Sequence, residues 1–158
     1  MSMFYEAIYL VDSRDTDLFA QCRPSALLGF LQEAAIQAAG EIGVFREKMI
    51  QQYHAFWMLS RIRYKLKRPL RCGERVRVKT WHRGGKSAMM YRDFDLFVEE
   101  EHVGEAISIW VLTELESRRL LRLSDVSEFE GTDGGELCRS EQLHKPRTPE
   151  ELTLSEVR

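Results

Sequence analysis

"PSALLGFLQEAAIQAAGEIG", Pro24 to Gly43, is the stretch on which the fold turns. Pro24 suits the first helical turn, where its missing N–H is no loss, and Gly40 and Gly43 supply stop signals. Between them Leu27, Leu28, Phe30, Leu31, Ala34, Ala35, Ile36, Ala38 and Ala39 cover nearly the whole circumference of a helix. A helix lying on a surface keeps a broad polar face. This one lacks such a face and is expected to be largely enclosed, with Gly29, Ala34, Ala35 and Ala38 small enough to let a sheet come close.

The flanking segments supply that sheet. Upstream, "MFYEAIYLV" is aromatic and β-branched enough for a strand, and downstream "VFREKMIQQY" reads as a shorter, more exposed helix. From His54 the period changes to two. "FWMLSRIRYKLKRP" sets Met58, Ile62, Tyr64 and Leu66 against Arg61, Arg63, Lys65 and Lys67. "ERVRVKTW" sets Val76, Val78 and Thr80 against Arg75, Arg77 and Lys79, and "RGGKS" is expected to turn the chain. "MYRDFDLFVEE" alternates Phe94, Leu96 and Val98 with Asp93, Asp95 and Glu99. After a turn expected near Glu101 to Gly104, "EAISIWVLTELE" aligns Ile107, Ile109 and Val111. The expected fold is α+β, an antiparallel sheet wrapped around one long central helix. The domain is expected over residues 1–123, with a polar extension over 124–158 that includes "GTDGGE".

Composition narrows the function classes. The chain has 158 residues, enough for one domain with a real core, and its formal charge of -2 gives no pull toward nucleic acid or membrane. No apolar run approaches the ~18 residues of a membrane span, and the start lacks a basic, cleavable leader. Cys22, Cys72 and Cys138 have no CxxC spacing, so they read as reduced thiols of a cytoplasmic protein. His54, His82, His102 and His144 show no HxxxH or HExxH spacing, so no metal site is expected. No GxSxG elbow, Walker loop or dinucleotide fingerprint is present, and no cofactor is expected.

A sheet around an enclosed helix is the hotdog architecture, and several phrases resemble the acyl-ACP thioesterase family. They are "LQEAAIQAAGEIG", "WMLSRIRYKLKRPLRCGERVRVKTW", "YRDFDLF" and "ISIWVLTELESRRLLRL". Their order and spacing carry the resemblance from about Tyr5 to Leu123, to the first of the two hotdog repeats usual in that family. It implies hydrolysis of acyl thioesters of acyl-carrier protein or coenzyme A, without nucleic acid or membrane partners. That chemistry needs a carboxylate or an activated group to attack or to deprotonate water, and donors aimed at the thioester oxygen. A helix N-terminus supplies such donors.

The loop "DTDLFAQCRP", Asp15 to Pro24, sits where the resemblance implies a catalytic loop. Catalytic hotdog repeats carry Asp-x-Asn-x-His-Val-Asn-Asn there, or Asp-x-Asp-x-x-Gly-His in single-repeat thioesterases. Asp15 and Asp17 fall on the acidic positions, Phe19 on the asparagine and Ala20 on the glycine. Gln21 stands in place of the histidine, and Arg23 and Pro24 in place of the asparagine pair. Asp17 is therefore the candidate catalytic carboxylate, Gln21 a group that positions water or substrate, and Glu33 a second carboxylate to test. N–H groups near Pro24 to Leu27 would hold the oxyanion. Phe30, Leu31 and Trp57 are candidates to line the acyl chain. Lys67, Arg68 and Arg71 are candidates to dock an acidic carrier, against the alternative of a solvated, partly neutralised face.

One sheet around one helix leaves an open edge, so a homodimer is expected, with pairs able to assemble into tetramers. A different class stays open: a catalytically silent hotdog that binds acyl chains or scaffolds a partner. "LTLSEVR" also resembles the strand that opens the family's second repeat, so the chain could be the N-terminal half of a two-repeat enzyme.

Overall fold

The computed structural model describes residues 4–129 and Leu143. Strand β1 (Phe4–Leu10) leads through a loop into α1 (Pro24–Glu41) and α2 (Arg46–Tyr53). Four strands follow: β2 (Ala55–Leu66), β3 (Arg75–Lys86), β4 (Met89–Val98) and β5 (Glu101–Glu114). They form one five-stranded sheet in the order β1-β3-β4-β5-β2, every pair antiparallel. The α+β expectation and the hotdog arrangement of sheet and helix hold.

The inner face of the sheet carries Val76, Val78, Phe94, Leu96 and Ala106, all buried against Leu27, Leu31, Ala34 and Ala35 of α1. Alternation delivers this face as read, because side chains two apart in a strand share a side. The helix is less enclosed than its composition suggests. Gln32, Glu33, Ile36, Gln37 and Gly40 form an exposed stripe, and Ile36 is 47% accessible. One sheet covers one side of a helix; the apolar residues on the other side wait for something else.

Three details depart from the period-two reading. A bulge between Leu59 and Arg61 in the β2–β5 register puts Leu59 on the core and leaves Met58 45% exposed. "RGGKS" is mostly strand: β3 runs to Lys86 and the turn is Ser87-Ala88. Gly84, at φ 100°, absorbs a register shift there instead of turning the chain. Likewise the β4–β5 turn is Glu99-Glu100, and Glu101 to Gly104 already belong to β5.

A second cluster packs Val44, Met49, Ala55, Leu112 and Val126 under α2. Val126 is 1% exposed, and Glu128 pairs with Lys48 at 2.7 Å, so packed structure continues past Leu123. "GTDGGE" and "LTLSEVR" lie outside the described residues.

Candidate functional site

The chain between β1 and α1 folds back as a miniature hairpin. Thr16 bridges Cys22, and Gln21 bridges Arg71. The Cys22 N–H donates to the Leu70 carbonyl at 2.7 Å and the Cys72 N–H to the Ala20 carbonyl at 2.9 Å. The loop is thus stitched to the turn before β3. At its tip Asp17 Oδ1 accepts the N–H groups of Phe19 at 2.8 Å and Gln21 at 3.1 Å. A short carboxylate closing a turn onto its own backbone is an Asx turn. It helps hold Ala20 at φ 57°, a left-handed conformation that a residue with a Cβ adopts reluctantly. Asp15 Oδ2 accepts the Asp12 N–H while Asp12 caps the Ser13–Asp15 turn. Both acids shape the loop, and its tip points outward: Leu18 is 100% and Phe19 81% exposed.

The first turn of α1 offers little donor capacity. Pro24 has no N–H, and the amides of Ala26 and Leu27 both donate to the Arg23 carbonyl, at 3.0 and 3.1 Å. Glu33 lies nine positions along α1 from Pro24, roughly 14 Å at the helical rise. Its Oε1 accepts the Gln37 side-chain amide at 2.8 Å. Glu33 also adds to the charge near Tyr9, whose hydroxyl is pushed up to about 12, first by burial and then by Tyr5 and Glu33. Among the described residues no hydrogen bond or ion pair joins Asp17 to Glu33. Phe30 stacks on Tyr9 at 5.2 Å, and Leu31 is fully buried in the core.

Trp57 is placed differently. It walls an apolar groove of about 250 Å³ with Gln32, Ile36, Ala39, Val44, Phe45, Arg46, Phe56 and Trp110. A smaller cavity of about 30 Å³ adjoins it, sharing Ile36, Ala39, Trp57 and Trp110 and adding Ala35, Met90 and Arg92. The exposed side of α1 and the β2 edge form the mouth. Both indole N–H groups are hydrogen-bonded within the protein. Trp57 Nε1 donates to the Val44 carbonyl at 3.2 Å and Trp110 Nε1 to Ser108 Oγ at 2.9 Å. With those donors occupied, the rings offer the groove no free N–H. From Pro24 to Gln32 and Ala39 is roughly 12 to 22 Å along α1, so the groove runs from the middle of the helix toward its C-terminal end, away from the hairpin.

Arg92 is the residue that sequence reasoning missed. Its phase was legible, since it stands two positions before Phe94 on the inward side of "YRDFDLF". It is 3% exposed, and burial pulls its guanidinium down to about 10.

The basic residues are mostly occupied. Arg68 forks between Glu74 at 3.0 Å and Glu101 at 3.0 Å, so two carboxylates already hold the charge expected to dock an acidic carrier. Glu74 stands just before β3 and Glu101 opens β5, and only the fold brings them to one arginine. Lys67 and Arg71 are exposed and form no ion pair among the described residues. Along the outer sheet face Arg77 pairs with Glu6 and lies over Phe97, and Lys79 lies over Phe4. Arg83 binds Asp93 at 2.6 Å. Among the described residues no cluster of His, Cys, Asp and Glu could hold a metal ion, and no helix is long and apolar enough to cross a membrane.

Residues 2–128 match the family model of the acyl-ACP thioesterase N-terminal domain. No curated protein matches the sequence. Among solved structures, a 12:0-ACP thioesterase from Umbellularia californica is 18% identical with a TM-score of 0.79, over 98% of this chain and 62% of its own. An acyl-ACP thioesterase from Bacteroides thetaiotaomicron is 20% identical with a TM-score of 0.71, over 77% of this chain and 51% of that one. A 1,4-dihydroxy-2-naphthoyl-CoA thioesterase from Synechocystis is 17% identical with a TM-score of 0.68, over 76% and 89%. The chain thus spans about half the length of the Bacteroides protein. At these identities the likeness establishes a shared fold.

Proposed function

The chain belongs to the acyl-ACP thioesterase family, and from that premise we propose that it hydrolyses fatty acyl thioesters of acyl-carrier protein or coenzyme A. The observation that carries this reading is the apolar groove beside Trp57. It is a slot for an acyl chain with its mouth along the β2 edge. The groove begins at Gln32, roughly 12 Å along α1 from the hairpin's end at Pro24, so the reading includes a two-fold pair that brings a second hairpin to the mouth. The open β2 edge, which has no strand beyond it among the described residues, is where a second copy would meet it. In such a pair the hairpin of one copy serves the groove of the other. Asp17 then attacks the thioester carbon or activates water, and Gln21 orients the reacting group. Lys67 and Arg71, exposed beside the hairpin's anchor, would meet an acidic carrier protein.

The test is purified protein against a chain-length series of acyl-CoA and acyl-ACP thioesters, with two variants and their mixture. Asp17→Asn removes the reacting group and Ala39→Trp fills the groove, so each alone is inactive. Random pairing of the two restores one intact site in half of the dimers, about a quarter of wild-type turnover. No turnover on any thioester, with acyl chains still bound, makes the domain an acyl-binding module instead.

A further inference from the structure

The groove ends on a charge. Arg92 sits in the wall of the 30 Å³ cavity, beside Trp57, Trp110 and Met90, where every other wall residue is apolar. Its guanidinium has one hydrogen bond among the described residues, from Nη1 to Thr80 Oγ1 at 3.4 Å, and no ion pair. Its Nε is buried without an acceptor. The neighbouring acid, Asp93, faces the other side of the sheet and is bound by Arg83.

The surroundings hold this arginine in place without satisfying it. The Thr80 hydroxyl donates to the Asp93 carbonyl at 2.8 Å, leaving only a lone pair for Arg92. Ser108 Oγ donates to the Arg92 carbonyl at 3.2 Å and accepts from Trp110, which ties the arginine's backbone to the groove wall. Thr80 and Ser108 are themselves buried, at 0% and 1% exposure. A guanidinium out of water needs acceptors for its five donors, and an uncompensated buried charge is strongly unfavourable. Burial lowers its proton affinity only to about 10, so it is a cation at neutral pH. The cavity holds about two water-sized groups, enough for a hydroxyl or a compact carboxylate and too small for a further length of chain.

We propose that Arg92 is a specificity residue which recognises an acyl chain carrying oxygen at its distal end, a terminal hydroxyl or carboxylate. The proposal rests on the reading of the groove as an acyl site. The chain's thioester end stays at the mouth, its methylenes run past Ile36 and between the indoles, and the terminal oxygen accepts from the guanidinium. A plain alkyl end would leave those donors dry and unpaired, and a polar site of this kind rejects a ligand that lacks the matching group.

The experiment is calorimetric titration of the full chain with octanoyl-CoA, 8-hydroxyoctanoyl-CoA and the mono-CoA thioester of octanedioate, in wild type, Arg92→Met and Arg92→Lys. In wild type at least one oxygenated ligand binds ten-fold or more tighter than octanoyl-CoA, the carboxylate first if charge dominates. In Arg92→Met that preference collapses to within two-fold while octanoyl-CoA still binds, which separates lost recognition from lost fold. Arg92→Lys keeps a cation and retains part of the preference. Equal binding of all three ligands by wild type, or a preference that survives Arg92→Met, overturns the proposal while leaving the acyl groove standing. Absence of binding by any acyl ligand overturns the proposal and the acyl-site reading together.

Discussion

Asp17 can be asked to separate shape from chemistry. Its Oδ1 accepts two backbone N–H groups, at 2.8 and 3.1 Å, in a turn that also holds Ala20 in the left-handed region. Asparagine keeps a carbonyl oxygen in that place, so Asp17→Asn should leave stability within ~0.5 kcal/mol. Alanine removes both acceptors. Each such bond at an exposed turn contributes about 0.5 to 1 kcal/mol net, so Asp17→Ala should cost about 1 to 2 kcal/mol. In a domain of this size that lowers Tm by roughly 3 to 8 °C. Turnover should respond differently. Loss of an acid–base or nucleophilic group lowers kcat by roughly 100- to 10,000-fold, so both variants should be inactive although only one is destabilised. Thermal denaturation by circular dichroism and a thiol-release assay on the same preparations make the comparison. An Asn variant with unchanged Tm and wild-type turnover would refute the chemical role. An Asn variant as unstable as the Ala variant would refute the hydrogen-bonding role assigned to Oδ1.

Two further outcomes follow from the packing. A Cβ at Gly104 would lie 2.6 Å from the Lys65 carbonyl and 2.7 Å from Leu66 Cδ2 on the neighbouring strand. The backbone oxygen cannot retreat without breaking β2–β5 pairing, so Gly104→Ala should cost about 1 to 3 kcal/mol in urea denaturation. Glu128, held down to about 2 chiefly by Lys48, is a carboxylate with a lowered folded-state pKa. Its stabilisation is therefore complete above about 4.5 and disappears as pH falls from 4.5 toward 2. Lys48 is about a third exposed, and screening leaves about 1 kcal/mol. Glu128→Gln should remove that part of the acid sensitivity, read as a flatter stability profile between pH 4.5 and 2.5.

Long-period features were legible and contact-dependent ones were not. The 24–43 stretch announced α1 by its caps and apolar residues, and alternation placed Val76, Val78, Phe94 and Leu96 on the core face. Met58 escaped because a bulge inverts phase without a local signature. "RGGKS" misled because glycine serves a bulge as well as it serves a turn. Arg68 was misjudged because Glu101 is 33 positions away in sequence and meets it only through the β2–β5 pairing. At the candidate site, Trp57 could be named from family-like placement, while Phe30 and Leu31 share a helix with the groove's wall but face Tyr9 and the core. Arg92 went unread because an inward-phase arginine draws notice only when its missing counter-charge is visible.

The order of the strands also has a consequence for how the molecule assembles. Strands β3, β4 and β5 form a meander closed by the two-residue turns Ser87-Ala88 and Glu99-Glu100, pairings that the chain can find quickly. Strand β1 must bring Phe4 to Trp81 and β2 must bring Ala55 to Glu114, so both edges pay a larger loop-closure entropy and join late. Trp57 and Phe56 sit on such an edge. The groove is therefore walled by a strand whose pairing is long-range in sequence, so this wall is completed only after the meander beneath it is in place.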